Sequence, residues 1–205
     1  MLIEKHPRVD KINTIRRFET RDLAKRLMFI KANEIEITNY PVRPLKAFNS
    51  THIIEKDKVI IFARLIFDYY KYVSSIARIE IELNELLSGN INRKQKLKGE
   101  ISVFPDRLED IWGAEDPRVL KMDHYYILAY TGRTKWYYRE ENDEGNGVKT
   151  TTVVATSKDT FKWKKIGVFS FDHRFESNLE TIKNCVPLKG EKGNYVLCRL
   201  HTKSK

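Results

Sequence analysis

Little in the sequence supports a cross-linked, metal-bound or membrane-inserted protein. Only 2 of the 205 residues are cysteines, Cys185 and Cys198, too few for a disulfide framework or a cysteine metal site. No apolar run approaches the roughly 18 residues of a membrane span, and the opening MLIEKHPRVD has no apolar core of the kind that a signal peptide needs. These absences predict a cytoplasmic protein without a bound metal.

A concentrated basic surface is also absent, although the net charge is +10. Lysine and arginine are interleaved with acidic residues, and the one dense basic run, at 92–99, is typical of a solvated loop. Nucleic-acid modules show a basic helix or an RNP-like aromatic strand, and this sequence has neither. Nucleic-acid binding is therefore disfavoured, and capture of a small anionic substrate is a second use for the excess charge.

Long helical patterns are scarce, and short β-forming runs dominate after residue 40. Residues 1–40 are predicted to be an N-terminal segment with a helix over 16–30, where apolar residues recur at helical spacing. Residues 41–205 are predicted to form an all-β sandwich, barrel or propeller. Its candidate strands include 77–83, 149–157 and 162–171.

A β-hairpin is predicted between residues 119 and 130. The runs 119–122 and 125–130 are β-forming, and Asp123-His124 makes a tight connection between them. Directly before this hairpin, the sequence Glu-Asp-Pro-Arg at 115–118 places charged residues where the first strand begins.

The geometry of this charged opening can be predicted from the proline. Pro117 is expected to hold Asp116 in an extended conformation. Residues two apart in an extended chain face the same way, so Asp116 and Arg118 should point to one side. A carboxylate aimed rigidly at a pocket can act as a general acid. A salt-bridged strand cap is the alternative.

Three hairpins share one layout and begin at Asn49, Glu115 and Asn184, which are 66 and 69 residues apart. Each returns on a strand that carries a large polar residue near its end: Arg64, Tyr130 and Arg199. The spacing exceeds the about 40–50 residues of a propeller repeat, and loop insertions would account for the excess. In a propeller, the openings of the three hairpins would converge on a central channel. Chance likeness among the hairpins of a β-rich protein is the alternative.

Several polar side chains lie among apolar or aromatic neighbours. Arg64 is on the apolar face of its strand, so it must be ion-paired, snorkelled or bound to an anion. Arg199 repeats this pattern with His201 two positions on, and paired arginines suit bidentate capture of phosphate or carboxylate. Structural ion pairs are the alternative. The aromatic run 67–72 around Asp68 is typical of either a sugar site or a buried cluster.

The motif GAEDPRV at 113–119, followed by a hairpin and YTG, resembles the signature of glycoside hydrolase family 130. This family comprises β-mannoside phosphorylases and related mannosidases that fold as five-bladed β-propellers. Weaker similarities follow in the family's order: AFNSTHI at 47–53, FARLI at 62–66, ATSKDTFKW at 155–163 and IKNCVPLKGEKGNYVLCRLH at 182–201. One departure is Ser50-Thr51, where the family often has Pro-Gly.

The resemblance implies an inverting glycoside phosphorylase that acts on β-mannosides. Asp116 would be the general acid, and inorganic phosphate, a co-substrate in place of any cofactor, would attack the anomeric carbon and release mannose 1-phosphate. The phosphate ligands would be Arg64, Lys183, Arg199 and His201. The sugar-binding residues would be Asn49, Glu115, Arg118, Asp68 and Tyr130.

Two alternatives stay open beside phosphorolysis. An inverting β-mannosidase would need a second carboxylate to activate water, for which Asp68, Asp172 and Glu176 are candidates. A non-catalytic carbohydrate-binding propeller is the other. Because five blades need more chain than 205 residues, the resemblance also implies that the propeller is incomplete here, and a homo-oligomer stays open.

Overall fold

The computed structural model describes residues 26–68, 73–92, 94–134, 149–170 and 179–202, and most of them are in strands. Two single-turn 3-10 helices, at Ala32–Glu34 and Leu108–Asp110, and one short helix, α1 (Leu83–Ser88), complete the regular structure of this part. The strands are β1 (Ile35–Ile37), β2 (Lys46–Glu55), β3 (Lys58–Ile66), β4 (Ser74–Glu82), β5 (Leu97–Val103), β6 (Ala114–Lys121), β7 (Tyr126–Thr134), β8 (Lys149–Ser157), β9 (Lys164–Val168), β10 (Leu179–Gly190) and β11 (Gly193–Thr202).

The described strands form three open sheets that follow one another along the chain. The first has the order β1-β5-β4-β3-β2, the second β6-β7-β8-β9, and the third β10-β11. Neighbouring strands are antiparallel, except that β1 pairs with β5 in parallel. The all-β prediction is therefore confirmed for this part of the chain, and the sheets are not closed into a barrel.

The main core lies between the first and second sheets. Phe62 and Ile76 of the first sheet pack against Ala114, Leu128 and Tyr130 of the second. Burial of each large apolar side chain contributes about 1.5–3 kcal/mol. At the same interface, a Cβ on Gly113 would lie 3.0 Å from the Ser74 hydroxyl oxygen and its φ is +147°, so a glycine suits the close approach that brings β6 against β4.

The opposite face of the first sheet is apolar as well. Ala63, Leu65, Ala77 and Ile79 are buried there in one cluster with Ile35 and Ile37 of β1. An antiparallel sheet with two apolar faces is one that is covered on both sides. Strand β1 belongs to the first sheet through its pairing with β5. It lies within residues 1–40, which were predicted to be a separate N-terminal segment.

A turn after β8 joins the second sheet to the first. The Asp159 carboxylate accepts hydrogen bonds from the backbone N–H groups of Phe161 and Lys162, both at 2.9 Å, and these bonds lower the pKa of Asp159. Arg78 of β4 donates to the Thr160 hydroxyl at 3.0 Å and its guanidinium lies over the Phe161 ring. The turn therefore lies within residues 155–163, one of the segments on which the family resemblance rests.

Two sequence predictions about local structure need correction. The helix predicted over 16–30 is wrong for residues 26–30, which have no helix, and residues 16–25 lie outside the described part. Leu27 is exposed while Ile30 packs on the first sheet, so the helical spacing does not reflect one buried helix face. The strand predicted over 162–171 is β9, which is shorter.

No helix among the described residues is long and apolar enough to cross a membrane.

Each of the three hairpins contains the same β-bulge. The register of pairing shifts between Phe48 and Thr51, between Glu115 and Arg118, and between Lys183 and Val186. In each case two residues of the first strand face one residue of the partner strand. The first of those two residues is left-handed every time, with φ of 49° at Asn49, 50° at Asp116 and 56° at Asn184.

The bulges are next to one another in space because β2 packs on β6 and β6 packs on β10. The three hairpins therefore do repeat one geometry, but in a frame shifted by one residue from the predicted frame. Asp116, not Glu115, is equivalent to Asn49 and Asn184. Asparagine and aspartate tolerate the left-handed region better than other non-glycine residues, which is why all three positions carry them.

Candidate active site

The bulge of β6 sets two consecutive carboxylates at the edge of the core. Glu115 is buried and Asp116 is partly exposed. The prediction that Pro117 holds Asp116 extended is wrong, because the bulge turns Asp116 to a φ of +50°. The rule that residues two apart share a face therefore does not apply to Asp116 and Arg118, which lie on either side of the bulge. The Arg118 guanidinium donates to the Pro117 carbonyl at 2.7 Å.

Arg64 bridges both carboxylates from the neighbouring hairpin. One terminal nitrogen lies 2.6 Å from Glu115 Oε1 and the other lies 3.0 Å from Asp116 Oδ1. The guanidinium also lies over the Phe48 ring, 4.6 Å from its centroid. Its side chain is only 6% exposed, so the fork is fixed in direction and holds the two acids in one geometry.

One oxygen of Asp116 receives two donors. Asn49 Nδ2 donates to Asp116 Oδ1 at 2.8 Å, and Arg64 donates to the same atom. In a protonated carboxyl group, the oxygen that accepts two hydrogen bonds is the carbonyl-type oxygen, because the other oxygen carries the proton. When Asp116 is protonated, its proton is therefore carried on Oδ2.

The environment of Glu115 combines burial with three cations. Burial raises the pKa of Glu115, and the nearby Asp116 charge adds to this, while Arg64, Arg133 and Lys183 oppose it. Arg133 Nε lies 3.5 Å from Glu115 Oε1. We refer to Asn49, Arg64, Glu115, Asp116 and Arg133 as the bulge cluster.

The sequence predictions missed Arg133. Glu115 pairs with Thr131 across the ladder, and Arg133 is two residues further along β7, so both face the same side of the sheet. Arg133 could have been identified as the residue two positions beyond Thr131, but this step requires the pairing register.

The third hairpin brings Lys183 to this region, where its charge acts on Glu115. Lys183 lies across the ladder from Arg199, and Thr181 lies across from His201. Arg199 is exposed and His201 is half-buried. The bulge of β10 touches the second hairpin, because the Asn184 backbone N–H donates to the Thr131 hydroxyl at 3.4 Å. This contact aligns the third hairpin with the bulge cluster.

Tyr130, predicted as a sugar ligand, lies in the core instead. Its side chain is 1% exposed, and its hydroxyl donates to Asp110 Oδ2 at 2.6 Å. Burial and the Asp110 charge raise the pKa of Tyr130. The predicted equivalence with Arg64 and Arg199 fails by one position: Thr131 pairs with Glu115 as Arg64 pairs with Phe48.

A second polar group, the Asp110 cluster, surrounds the Tyr130 hydroxyl and consists of Asp106, Asp110, Tyr130 and Lys165, of which only Asp106 is exposed. Asp110 is fully buried and also accepts hydrogen bonds from the backbone N–H groups of Asp106 and Arg107. Lys165 donates to Asp110 Oδ2 at 2.5 Å and to the Phe104 carbonyl at 2.7 Å, and it also pairs with Asp106. These internal partners indicate a structural role.

The other predicted residues are more dispersed. Asp68 is exposed and follows the end of β3, four residues beyond Arg64. Phe67 packs edge-on against Tyr40 at 4.9 Å between centroids, so it serves the first sheet. Residues 69–72, Asp172 and Glu176 lie outside the described part. Within the described part, no three His, Cys, Asp or Glu side chains are placed to hold a metal ion.

The fold is one that glycosidases use. A mutant of Trypanosoma rangeli sialidase that displays trans-sialidase activity has a TM-score of 0.51 at 13% identity, over 87% of this chain and 31% of that chain. A glycosyl hydrolase from Bacteroides ovatus has a TM-score of 0.47 at 17% identity, over 72% of this chain and 39% of that one. The chain thus spans well under half the length of these solved structures.

The family is defined by sequence. Residues 14–205 match the family model Glyco_hydro_130, described as beta-1,4-mannooligosaccharide phosphorylase. The chain therefore belongs to glycoside hydrolase family 130, and the resemblance read from its motifs is confirmed. A comparison with curated proteins gave no match.

Proposed function

We propose that the bulge cluster is the catalytic centre of an inverting β-mannoside phosphorylase. Asp116 is the general acid, inorganic phosphate is the nucleophile, and mannose 1-phosphate is released from a β-mannoside oligosaccharide. The observation that carries this proposal is the double hydrogen bond to Asp116 Oδ1, within the motif that the family match covers.

The acid step follows from the geometry of Asp116. With Oδ1 held by Asn49 and Arg64, the proton on Oδ2 is the one free to pass to the glycosidic oxygen as its bond to the anomeric carbon breaks. A phosphate oxygen forms the new bond to that carbon from the opposite face. Asp116 is left as a carboxylate, and a proton from phosphate or water restores it.

Charge around the cluster suits a phosphate dianion. Arg64, Arg133 and Lys183 act on Glu115, and Arg64 also pairs with Asp116. The net charge of these five groups becomes more positive when Asp116 carries its proton. Charge-assisted hydrogen bonds to an anion contribute about 1.5–3 kcal/mol each. Arg199, across from Lys183, and His201 on the same strand would extend this anion site.

The architecture supports a shared site between sheets. Strands β2, β6 and β10 each lie at an edge of a sheet and each carry the bulge, and β2 and β10 both pack on β6. In a propeller of the five-bladed type these would be the inner strands of consecutive blades. Residues Asn49, Asp116 and Asn184 would then face one axis, with the sugar bound across it.

Hydrolysis is the second candidate, because Asp68 offers an exposed carboxylate near the end of β3. An inverting hydrolase places its base about 6.5–9.5 Å from the acid to leave room for water. Phosphorolysis needs no such base, since phosphate is itself the nucleophile. The cations Arg64, Arg133 and Lys183 favour phosphorolysis, because they stabilise an anionic nucleophile and not a neutral water molecule.

The test is turnover of a β-1,4-mannooligosaccharide with and without phosphate. Phosphate-dependent release of mannose 1-phosphate supports the proposal. Equal turnover without phosphate assigns the chain to the hydrolases, with Asp68→Asn as the next variant. Sugar binding without any turnover identifies a carbohydrate-binding protein.

A matched pair of variants tests the anion site on the third hairpin. Arg199→Ala removes a cation near the proposed phosphate, while Lys189→Ala removes one at the far end of the same hairpin, where it pairs with Asp123. We expect Arg199→Ala to raise the KM for phosphate several-fold and to leave the KM for the mannoside unchanged, and Lys189→Ala to change neither. Equal behaviour of the two variants would remove Arg199 from the site.

A further inference from the structure

The two cysteines, 13 positions apart in the sequence, meet inside the third bulge. Their sulfur atoms are 2.9 Å apart, and the two residues are not joined by a disulfide. Cys185 is buried and Cys198 is half-buried. The spacing of the two cysteines does not predict that they meet, because two cysteines alone do not indicate a disulfide framework.

The bulge explains why they meet. Between the pairs Lys183–Arg199 and Val186–Leu197, two residues of β10 face Cys198 alone, and Cys185 is one of them. Residues that face each other across an antiparallel ladder have Cα atoms about 4.5–5.5 Å apart. This lies inside the window of about 4.4–6.8 Å that a disulfide requires.

We propose that Cys185 and Cys198 form a reversible dithiol–disulfide site that a low-molecular-mass disulfide, such as oxidised glutathione, converts to its oxidised form. The inference does not depend on the proposed function, because it rests only on the placement of the two sulfur atoms.

The reaction is two thiol–disulfide exchanges. The Cys198 thiolate, which is the more accessible, attacks one sulfur of oxidised glutathione and displaces glutathione thiolate. The Cys185 thiolate then attacks Sγ of Cys198, forms the protein disulfide and displaces the second glutathione. Two protein thiols lose two protons and two electrons, and one oxidised glutathione becomes two reduced glutathiones.

The burial of Cys185 limits the rate of the second exchange. Burial raises the pKa of the Cys185 thiol to about 12, so little thiolate is present at neutral pH. Because the thiolate is the nucleophile, closure of the disulfide is expected to accelerate as the pH rises from 7 to 9.

The cross-link would join the two strands that carry Lys183 and Arg199. It ties β10 to β11 within the bulge, next to Asn184, which contacts the second hairpin. Closing a short loop in the unfolded chain lowers the unfolding equilibrium constant, on the order of 100-fold for a loop of about 15 residues. The oxidised chain should therefore resist urea better than the reduced chain.

The experiment treats the reduced, folded chain with oxidised glutathione at pH 8 and follows thiol number and intact mass. We expect both thiols to disappear with the loss of two hydrogens, in a chain that remains monomeric on a non-reducing gel. The urea midpoint should then rise, and dithiothreitol should reverse both changes. Cys198→Ser is the control, in which neither the mass loss nor the shift in midpoint should occur.

Two results would overturn the proposal. One is a folded chain that keeps both thiols, or stops at a single glutathione adduct, under conditions in which the urea-unfolded chain closes its disulfide. The other is a disulfide that forms only between chains. If Cys198→Ser does not fold, the oxidised and reduced wild-type chains still decide the outcome, because both measurements are made on the same sequence.

Discussion

The bulge cluster and the Asp110 cluster share strand β7 and each join carboxylates to cations, but only in the bulge cluster does the central carboxylate remain partly exposed. In the bulge cluster Asp116 Oδ1 is held and the carboxylate remains partly exposed. In the Asp110 cluster the carboxylate is fully buried and its oxygens are taken up by Tyr130, Lys165 and backbone N–H groups.

The two clusters take residues from opposite faces of β7. Arg133, two residues beyond the Glu115 partner Thr131, pairs with Glu115, whereas Tyr130 lies opposite the bulge and packs in the core. Because successive residues of a strand point to opposite faces, a shift of one residue moves a side chain from the carboxylate side of the sheet to the core side. Proximity to the charged motif in sequence therefore does not make a residue part of the site.

The largest effect on stability is expected from the Asp110 cluster. Asp110→Ala leaves the Lys165 ammonium and the Tyr130 hydroxyl without their shared acceptor, and breaking a buried pair costs about 3–5 kcal/mol. Urea denaturation should show this loss. The matched control is Asp123→Ala, which removes an exposed carboxylate paired with Lys189 and should cost little stability, because water screens an exposed pair. Similar losses in both variants would contradict the structural role of Asp110.

A smaller effect separates backbone strain from hydrogen bonding at Asn49. Asn49→Gly keeps the left-handed conformation but loses the bond to Asp116, while Asn49→Ala loses the bond and also strains the backbone by about 1–2 kcal/mol. We therefore expect both variants to lose turnover and only the alanine variant to lose appreciable stability. Calorimetry on the two variants measures the difference. Equal stability would mean that the left-handed φ is not required.

Asn184 provides an independent check of the repeated bulge. It has the same left-handed φ but contacts Thr131 instead of a carboxylate. Asn184→Ala should therefore be less stable than Asn184→Gly. The difference should be similar to the one between Asn49→Ala and Asn49→Gly. A difference at one position and none at the other would break the equivalence of the hairpins.

The smallest expected effect is a pH dependence from Glu115. Its folded-state pKa is raised above the ordinary 4.5 by burial, so between these values the folded chain binds more protons than the unfolded chain. The free energy of unfolding should then fall as pH rises through this window, by at most about 1.4 kcal/mol per pH unit. Glu115→Gln should lack this slope. An identical slope in both chains would show that Glu115 does not titrate in the folded state as described.

The sequence predicted which segments form hairpins, but it did not predict the register in which their strands pair. The strands around 114–134 follow from β-forming runs, and Glu115 and Asp116 were placed in the site by the Glu-Asp-Pro-Arg motif alone. The bulge was not foreseen, because an inserted residue leaves no hydrophobic signature. That omission accounts for the errors on Asp116 conformation and Tyr130, and for the absence of Arg133 from the predicted site.

One signal could have corrected the register. Asn49, Asp116 and Asn184 are spaced 67 and 68 residues apart, closer to a constant interval than the predicted frame. They are also residue types that accept a positive φ. The long-range contacts that complete the site, such as Arg64 with Glu115, depend on sheet packing and could not be read from local patterns.

The most direct test of the account compares Asp116→Asn with Tyr130→Phe in phosphate-dependent mannoside turnover and in thermal stability. Asparagine retains the tolerance for a left-handed φ, so Asp116→Asn should keep its stability and lose turnover by about 100-fold or more, the usual contribution of a general acid. Tyr130→Phe should keep turnover and lose about 1–3 kcal/mol, because Asp110 loses a buried hydrogen-bond donor. Turnover that survives Asp116→Asn but is abolished by Tyr130→Phe in a folded chain would contradict the account.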